Sequence, residues 1–105
     1  MNIRQEQPVD YDAVDHVIKK AFANAEHTDG NEQNLVAALR KSKSFIPELS
    51  LVAVESRKIV GHILFTKAVV NDAEVLALAP LSVLPEYQNR GIGLSLIKQG
   101  HAAAQ

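Results

Sequence analysis

Apolar residues set two different rhythms along the chain. Val14, Val17, Ile18, Ala21, Phe22 and Ala25 recur at i, i+3, i+4, i+7, i+8 and i+11. That spacing makes one apolar stripe on a helix. Asp10 is placed to cap this helix, and Asp12 and Asp15 lie near the positive end of its dipole. A second helix opens at Asp29-x-x-Glu32, which has the form of a capping box, and carries Leu35, Val36, Ala38 and Leu39 on its apolar side. It is expected to end between Lys41 and Ser44. From Leu49 the period becomes two: Leu49, Leu51 and Ala53 face one way, Val52 and Val54 the other. Polar turns at Glu55–Lys58 and Asn71-Asp72 separate a long strand, Ile59–Val70, from another, Glu74–Val83. Gly61 marks a bulge in the first of these. A short strand at Met1–Gln5, with Ile3 inward, precedes the first helix. A last helix, Gly91 to about Ala104, sets Gly93, Leu96, Ile97, Gly100 and Ala104 on one side. The predicted order is β-α-α-β-β-β-α, an α/β (α+β) sandwich around an antiparallel meander.

The stretch 76–100, LALAPLSVLPEYQNRGIGLSLIKQG, departs from simple periodicity. Leu76–Val83 is apolar almost throughout, as in a strand buried on both faces. Pro80 removes a ladder donor there and marks a bulge. Pro85 then fixes one angle of a turn, and Gln88-Asn89-Arg90-Gly91-Ile92-Gly93 leads into the helix. Strand, glycine turn and helix aim several N–H groups at one point, a place suited to an anion such as a phosphate. A dinucleotide fingerprint requires a third glycine where Leu96 stands, and no Gly-Lys-Ser/Thr occurs, so neither familiar nucleotide loop fits. By itself the Gly-x-Gly turn equally fits a helix start made tight for packing.

Composition narrows the classes. A chain of 105 residues fits one domain, spanning residues 1–105. The net charge of −1 argues against nucleic acid as the main partner. There is no cysteine, which excludes disulfides, thiolate metal sites and a cysteine nucleophile. No apolar run reaches the length of a membrane span, and the N-terminus has no secretory pattern, so a cytoplasmic location is expected. His16, His27, His62 and His101 show no metal-ligand spacing, and no metal is expected. His62, on a strand, is read first as a structural histidine and second as a residue of a substrate cleft.

Val83-x-Pro85-x-x-Gln88-x-x-Gly91-x-Gly93 resembles the acyl-CoA-binding motif of the GCN5-related N-acetyltransferase (GNAT) superfamily. The order of elements from residue 1 to 105 is similar to the first two-thirds of that fold. The resemblance implies acetyl transfer from acetyl-CoA to an amine. It implies cofactor contacts at Leu81, Ser82 and Val83, with backbone groups of Leu81 and Val83 pairing with the pantetheine arm and an N–H near Leu81 polarising the thioester carbonyl. It implies a pyrophosphate held by Gln88, Asn89, Arg90, Gly91, Ile92, Gly93, Leu94 and Ser95. Glu74 is the carboxylate of the strand and hence the candidate base; a solvated residue at a strand start is the alternative. Glu86 reads as solvated, and Tyr87 and Tyr11 as packing residues. Residues 22–34 are expected to line part of the acceptor site. Family members continue with a fifth strand and further elements, so the chain reads as truncated after the pyrophosphate-binding helix. Strand 76–83 then becomes an exposed edge able to recruit a second copy. A non-catalytic acyl-CoA-binding or interaction module is the competing reading.

Overall fold

The computed structural model describes residues 2–23, 32–42 and 45–104. In chain order these form β1 (Asn2–Gln5), α1 (Tyr11–Phe22), α2 (Glu32–Arg40), β2 (Phe45–Glu55), β3 (Lys58–Val70), β4 (Ala73–Val83) and α3 (Ile92–Ala104). The four strands make one antiparallel sheet in the order β1-β2-β3-β4. The expected order of elements is the observed one.

Two-residue turns set the register of the meander. Ser56 and Arg57 join Glu55 to its partner Lys58, and Asn71 and Asp72 join Val70 to Ala73. All four turn residues have φ between 50° and 67°. This left-handed pair matches the twist of the flanking strands. The bulge expected at Gly61 is present. Ala53 faces Gly61 and Val54 faces Ile59, which leaves Val60 as the extra residue.

The sheet carries helices on both faces. Leu51, Ala53, Ile63 and Phe65 pack with Ile92 and Leu96 of α3. Val52 and Leu64 pack with Val14 and Ile18 of α1 and Val36 of α2. The alternation read from residues 49–54 therefore sorts them correctly between the two faces. Burying a side chain of this class stabilises by about 1.5–3 kcal/mol. α3 sits close to the sheet because Gly100 faces Phe65. A Cβ at position 100 would lie 2.1 Å from Phe65 Cε2.

Three local expectations need correction. Asp10 stands at the N-cap position of α1, as expected, but its side chain makes no capping bond to the helix. Its carboxylate instead accepts from Arg4 Nη1 and Nη2 (2.7 and 2.9 Å) and from the Gln7 N–H (2.8 Å). A doubly bonded guanidinium is the stronger partner, and these bonds hold the Asp10 carboxyl below its usual range. On α2, Val36 is buried and Leu39 half-buried, but Ala38 is exposed and Leu35 is 49% exposed. The apolar side of this helix is narrower than the sequence suggests. α2 also ends at Arg40, one residue before the expected range. Ala25 and the capping residue Asp29 lie outside the described residues.

Beneath α1 and α2 runs a row of buried polar groups, one from or beside each strand. Glu6, just after β1, is clasped by Arg40, whose Nε donates to Oε1 and Nη2 to Oε2. Arg40 also lies 4.0 Å above the ring of Tyr11. Ser50 of β2 donates to Glu6 Oε1 (2.9 Å), and its Oγ is 3.0 Å from His62 Nε2 on β3. Ser82 of β4 pairs with His62 and is buried as well. His62 is thus a core residue.

Burial pushes the His62 imidazole down to about 4; the Glu6 charge opposes this and the Arg40 charge adds to it. The unfolded chain should bind the extra proton near pH 6.5. Stability from this group is therefore complete above pH 6.5 and declines as pH falls toward 4, by roughly 3 kcal/mol in all. Urea denaturation at intervals from pH 7.5 to 4 should show this slope, and His62→Gln should flatten it. In the same assay at pH 7, Gly100→Ala should lose about 1–3 kcal/mol from overpacking against Phe65; a variant as stable as the parent would count against the close α3–sheet contact.

Candidate cofactor site

β4 forms one edge of the sheet among the described strands. Near its end the ladder is interrupted: Ile63 faces Leu81 and Phe65 faces Leu78, so Ala79 and Pro80 together oppose Leu64. This is the bulge expected at Pro80. Proline has no N–H to offer the ladder, so an extra residue is tolerated there.

Past the bulge, the direction of each backbone group follows from one bond. Leu84 N–H donates to Val60 C=O at 2.9 Å. Hydrogen-bonded and non-bonded pairs alternate in an antiparallel ladder. Ser82, paired with His62, therefore turns its N–H and C=O toward β3. Leu81 and Val83, paired with Ile63 and Gly61, turn theirs toward the open edge. The Val83 carbonyl is indeed engaged away from β3, accepting from Gln88 Nε2 at 3.0 Å.

The chain then makes a single turn of 3-10 helix at Pro85–Tyr87 and enters the glycine turn. Asn89 and Gly91 both have positive φ, 65° and 80°. Ser95 N–H donates to Gly91 C=O at 3.0 Å, the first bond of α3. The N–H groups of Ile92, Gly93 and Leu94 precede that bond and have no partner inside the helix. Space above Gly91 is open: a Cβ built there would meet nothing within 4 Å. The strand edge and the helix N-terminus lie together, because a Cβ on Gly93 would be 3.3 Å from Leu81 Cδ2. This arrangement offers a row of backbone donors and acceptors leading to a cluster of N–H groups. It suits an elongated ligand with an amide-bearing arm and an anionic end.

The individual residues have separate parts. Gln88, Asn89, Arg90, Gly91 and Leu94 are exposed, and Gly93 and Ser95 are half-buried. Ile92 is a core residue, so only its backbone faces the turn. The Gln88 amide clips the turn to Val83. Tyr87 packs against the core, as expected, and also carries two cations over its ring: Arg90 at 5.2 Å and Lys58 at 5.9 Å. Lys58, the first residue of β3, stands outside the glycine-turn motif and joins it only through the fold.

The structure does not bring Glu74 to this group. It is exposed and pairs with Val69, near the far end of β4. It lies seven residues before Leu81, on the order of 20 Å along an extended strand. Glu86 is exposed. Of the expected acceptor-lining segment, residues 24–31 lie outside the described residues. Among the described residues, no three His, Asp or Glu side chains are grouped as a metal ion would need, and no helix is long and apolar enough to cross a membrane.

Known proteins share this arrangement. The acetyltransferase (GNAT) family matches residues 12–105. The uncharacterized N-acetyltransferase YjhQ of Escherichia coli (strain K12) is 48% identical over 73 residues, covering 66% of this chain and 40% of YjhQ. A GNAT family acetyltransferase from Brucella melitensis, solved in complex with acetyl-CoA, superposes with a TM-score of 0.87 at 38% identity, over 96% of this chain and 66% of that one. The GCN5-related glucosamine N-acetyltransferase region of a fungal multi-domain β-N-acetylglucosaminidase superposes with a TM-score of 0.73 at 25% identity, over 95% of this chain and 12% of that one. The chain thus spans less than half of YjhQ and about two-thirds of the Brucella protein. With the family matched over all but its first eleven residues, and its strand edge and glycine turn built as described, the chain belongs to the GNAT acetyltransferase family.

Proposed function

We propose that the protein is an N-acetyltransferase that takes its acetyl group from acetyl-CoA and passes it to an amine. The observation that carries this reading is the continuity of the β4 edge with the glycine turn. Outward N–H and C=O groups at Leu81 and Val83 run directly into the open N-terminus of α3. The binding of acetyl-CoA by the similar Brucella protein supports the choice of ligand.

In this reading the Leu81 and Val83 backbone pairs with the pantetheine arm as a neighbouring strand would. The pyrophosphate meets the N–H groups at the start of α3, from Gly91 to Leu94, with Ser95 at the edge. Arg90, held over Tyr87, adds a mobile positive charge. Bound acetyl-CoA supplies the thioester to be attacked by the amine. An N–H near Leu81 donates to the carbonyl oxygen, on which negative charge grows as the amine attacks. A cytoplasmic location goes with this cosubstrate. Glu74 stands too far from Leu81 to act on the same amine, so it is left out of this machinery.

The open edge also suits a second copy of the chain. Pairing of two β4 strands uses the groups that acetyl-CoA would use. Sedimentation velocity at increasing concentration should show self-association that acetyl-CoA reverses. A monomer throughout would remove the dimer from the picture.

Calorimetric titration tests the main reading. Acetyl-CoA should bind, and Gly91→Glu should weaken binding at least tenfold, since it places a carboxylate where the pyrophosphate belongs and strains a residue at φ 80°. Absence of binding at millimolar acetyl-CoA would overturn the proposal. Turnover against an amine panel then separates an enzyme from a non-catalytic acyl-CoA-binding module.

A further inference from the structure

The polar row beneath α1 and α2 contains information about hydrogens. Glu6 is paired with Arg40 and is present as a carboxylate, which only accepts. Ser50 has one hydroxyl proton, and it is given to Glu6 Oε1 at 2.9 Å. The contact of 3.0 Å between Ser50 Oγ and His62 Nε2 therefore needs its proton from the imidazole. A neutral imidazole carries one N–H, so Nε2 holds it and Nδ1 presents a bare lone pair.

That lone pair is fully buried and finds no partner among the described residues. Among the described residues, one other buried side-chain atom shares this condition: Ser82 Oγ. The two residues are directly paired across β3 and β4, so their side chains rise from the same face of the sheet. Their Cβ atoms are about 4.5–5.5 Å apart in such a pair. One group is an acceptor and the other can donate or accept. Two complementary groups side by side, out of water and without a direct bond, are the surroundings in which internal waters are held.

We propose that one internal water molecule sits between His62 Nδ1 and Ser82 Oγ, donating to the imidazole and bonding to the hydroxyl. The row then runs unbroken from Arg40 through Glu6, Ser50, His62 and the water to Ser82, touching all four strands or their ends. The last link joins β3 to β4 just beyond the Ala79-Pro80 bulge, where the backbone ladder is interrupted. His62 keeps a single tautomer because each donor in the row points toward Glu6. This inference rests on hydrogen-bond geometry and is independent of acetyl transfer.

A high-resolution crystal structure of the full chain should show a density peak about 2.7–3.2 Å from both Nδ1 and Oγ. An empty position, or a direct Oγ–Nδ1 hydrogen bond, would overturn the water. Long-range 1H–15N correlation spectra at pH 7 should show His62 protonated at Nε2 and unprotonated at Nδ1. The opposite tautomer or an imidazolium would overturn the donor order. Ser82→Val should fill the water position with a methyl group. The His62 Nδ1 resonance should then move toward that of a lone pair without a hydrogen bond, while Nε2 stays. An unmoved Nδ1 would count against the site; if the variant fails to fold, the density and tautomer of the parent chain decide.

Discussion

Glu6 is a charge taken almost completely out of water, and much of the molecule is arranged around it. An isolated buried carboxylate would cost several kcal/mol, and only a partner with good geometry offsets that. Arg40 supplies the opposite charge from the end of α2, its guanidinium carbon 4.0 Å over the ring of Tyr11 at the start of α1. Ser50 supplies a hydroxyl donor from β2, and the Glu6 N–H donates to the Ser50 carbonyl at 2.8 Å. Three elements, α1, α2 and β2, are thereby tied to one group. Apolar packing alone allows helices to slide across a sheet, whereas a buried ion pair has one acceptable geometry. The anchoring of the C-terminal end of α2 beside Glu6 and Ser50 follows from this pair more than from the narrow apolar stripe around Val36.

Periodicity revealed the elements because burial acts on every residue of an element together. Residues 49–54 alternate between two cores, and Val14, Val17 and Ile18 mark one face of α1, as their spacing requires. Backbone chemistry was equally legible: Pro80 lacks an N–H and Gly61 lacks a side chain, and each stands at a bulge. The polar core was not legible. Glu6, Ser50 and Ser82 each look like surface or strand residues, and their meaning arises only when the four strands align. A signal did exist, since Ser50, His62 and Ser82 occupy core-facing positions of otherwise apolar strands. Asp10 stands at the N-cap of α1, yet its carboxylate is drawn elsewhere for a related reason. Sequence places it as a helix cap, but Arg4 lies within reach on β1 and offers two charged donors. Leu35 fell outside the core because α2 is only nine residues long and meets the sheet along one narrow line.

The candidate cofactor site depends little on side-chain identity, which explains how far a short motif could reach. Its parts are outward amides of an edge strand and free amides of a helix N-terminus. Their directions are set by ladder alternation and by the position of the first helical bond. Side chains act mainly by permitting this geometry: Gly91 allows a left-handed backbone, Gly93 lets α3 approach Leu81, and Gln88 ties the turn to Val83. The same reasoning bears on Glu74, the candidate base on the strand. A carboxylate on β4 is easily found by composition, but distance along a strand accumulates at about 3.3 Å per residue. Seven residues take Glu74 out of reach.

The two systems meet at Ser82. Its backbone bonds inward to β3, and its neighbours Leu81 and Val83 present theirs outward. Its side chain belongs to the face covered by α1 and α2, while Leu81 touches the α3 face. The short segment 81–83 is therefore held from three directions: by the ladder, by the buried row, and by α3 across Gly93. An edge strand is ordinarily the most compliant part of a sheet, since half of its backbone bonds are missing. Just after a bulge it should be looser still. Holding this segment from the inside fixes the direction of its outer N–H and C=O groups, which is what a ligand that binds as an added strand requires. The buried polar row, remote from the glycine turn in sequence, thus belongs to the same mechanical unit as the edge it supports.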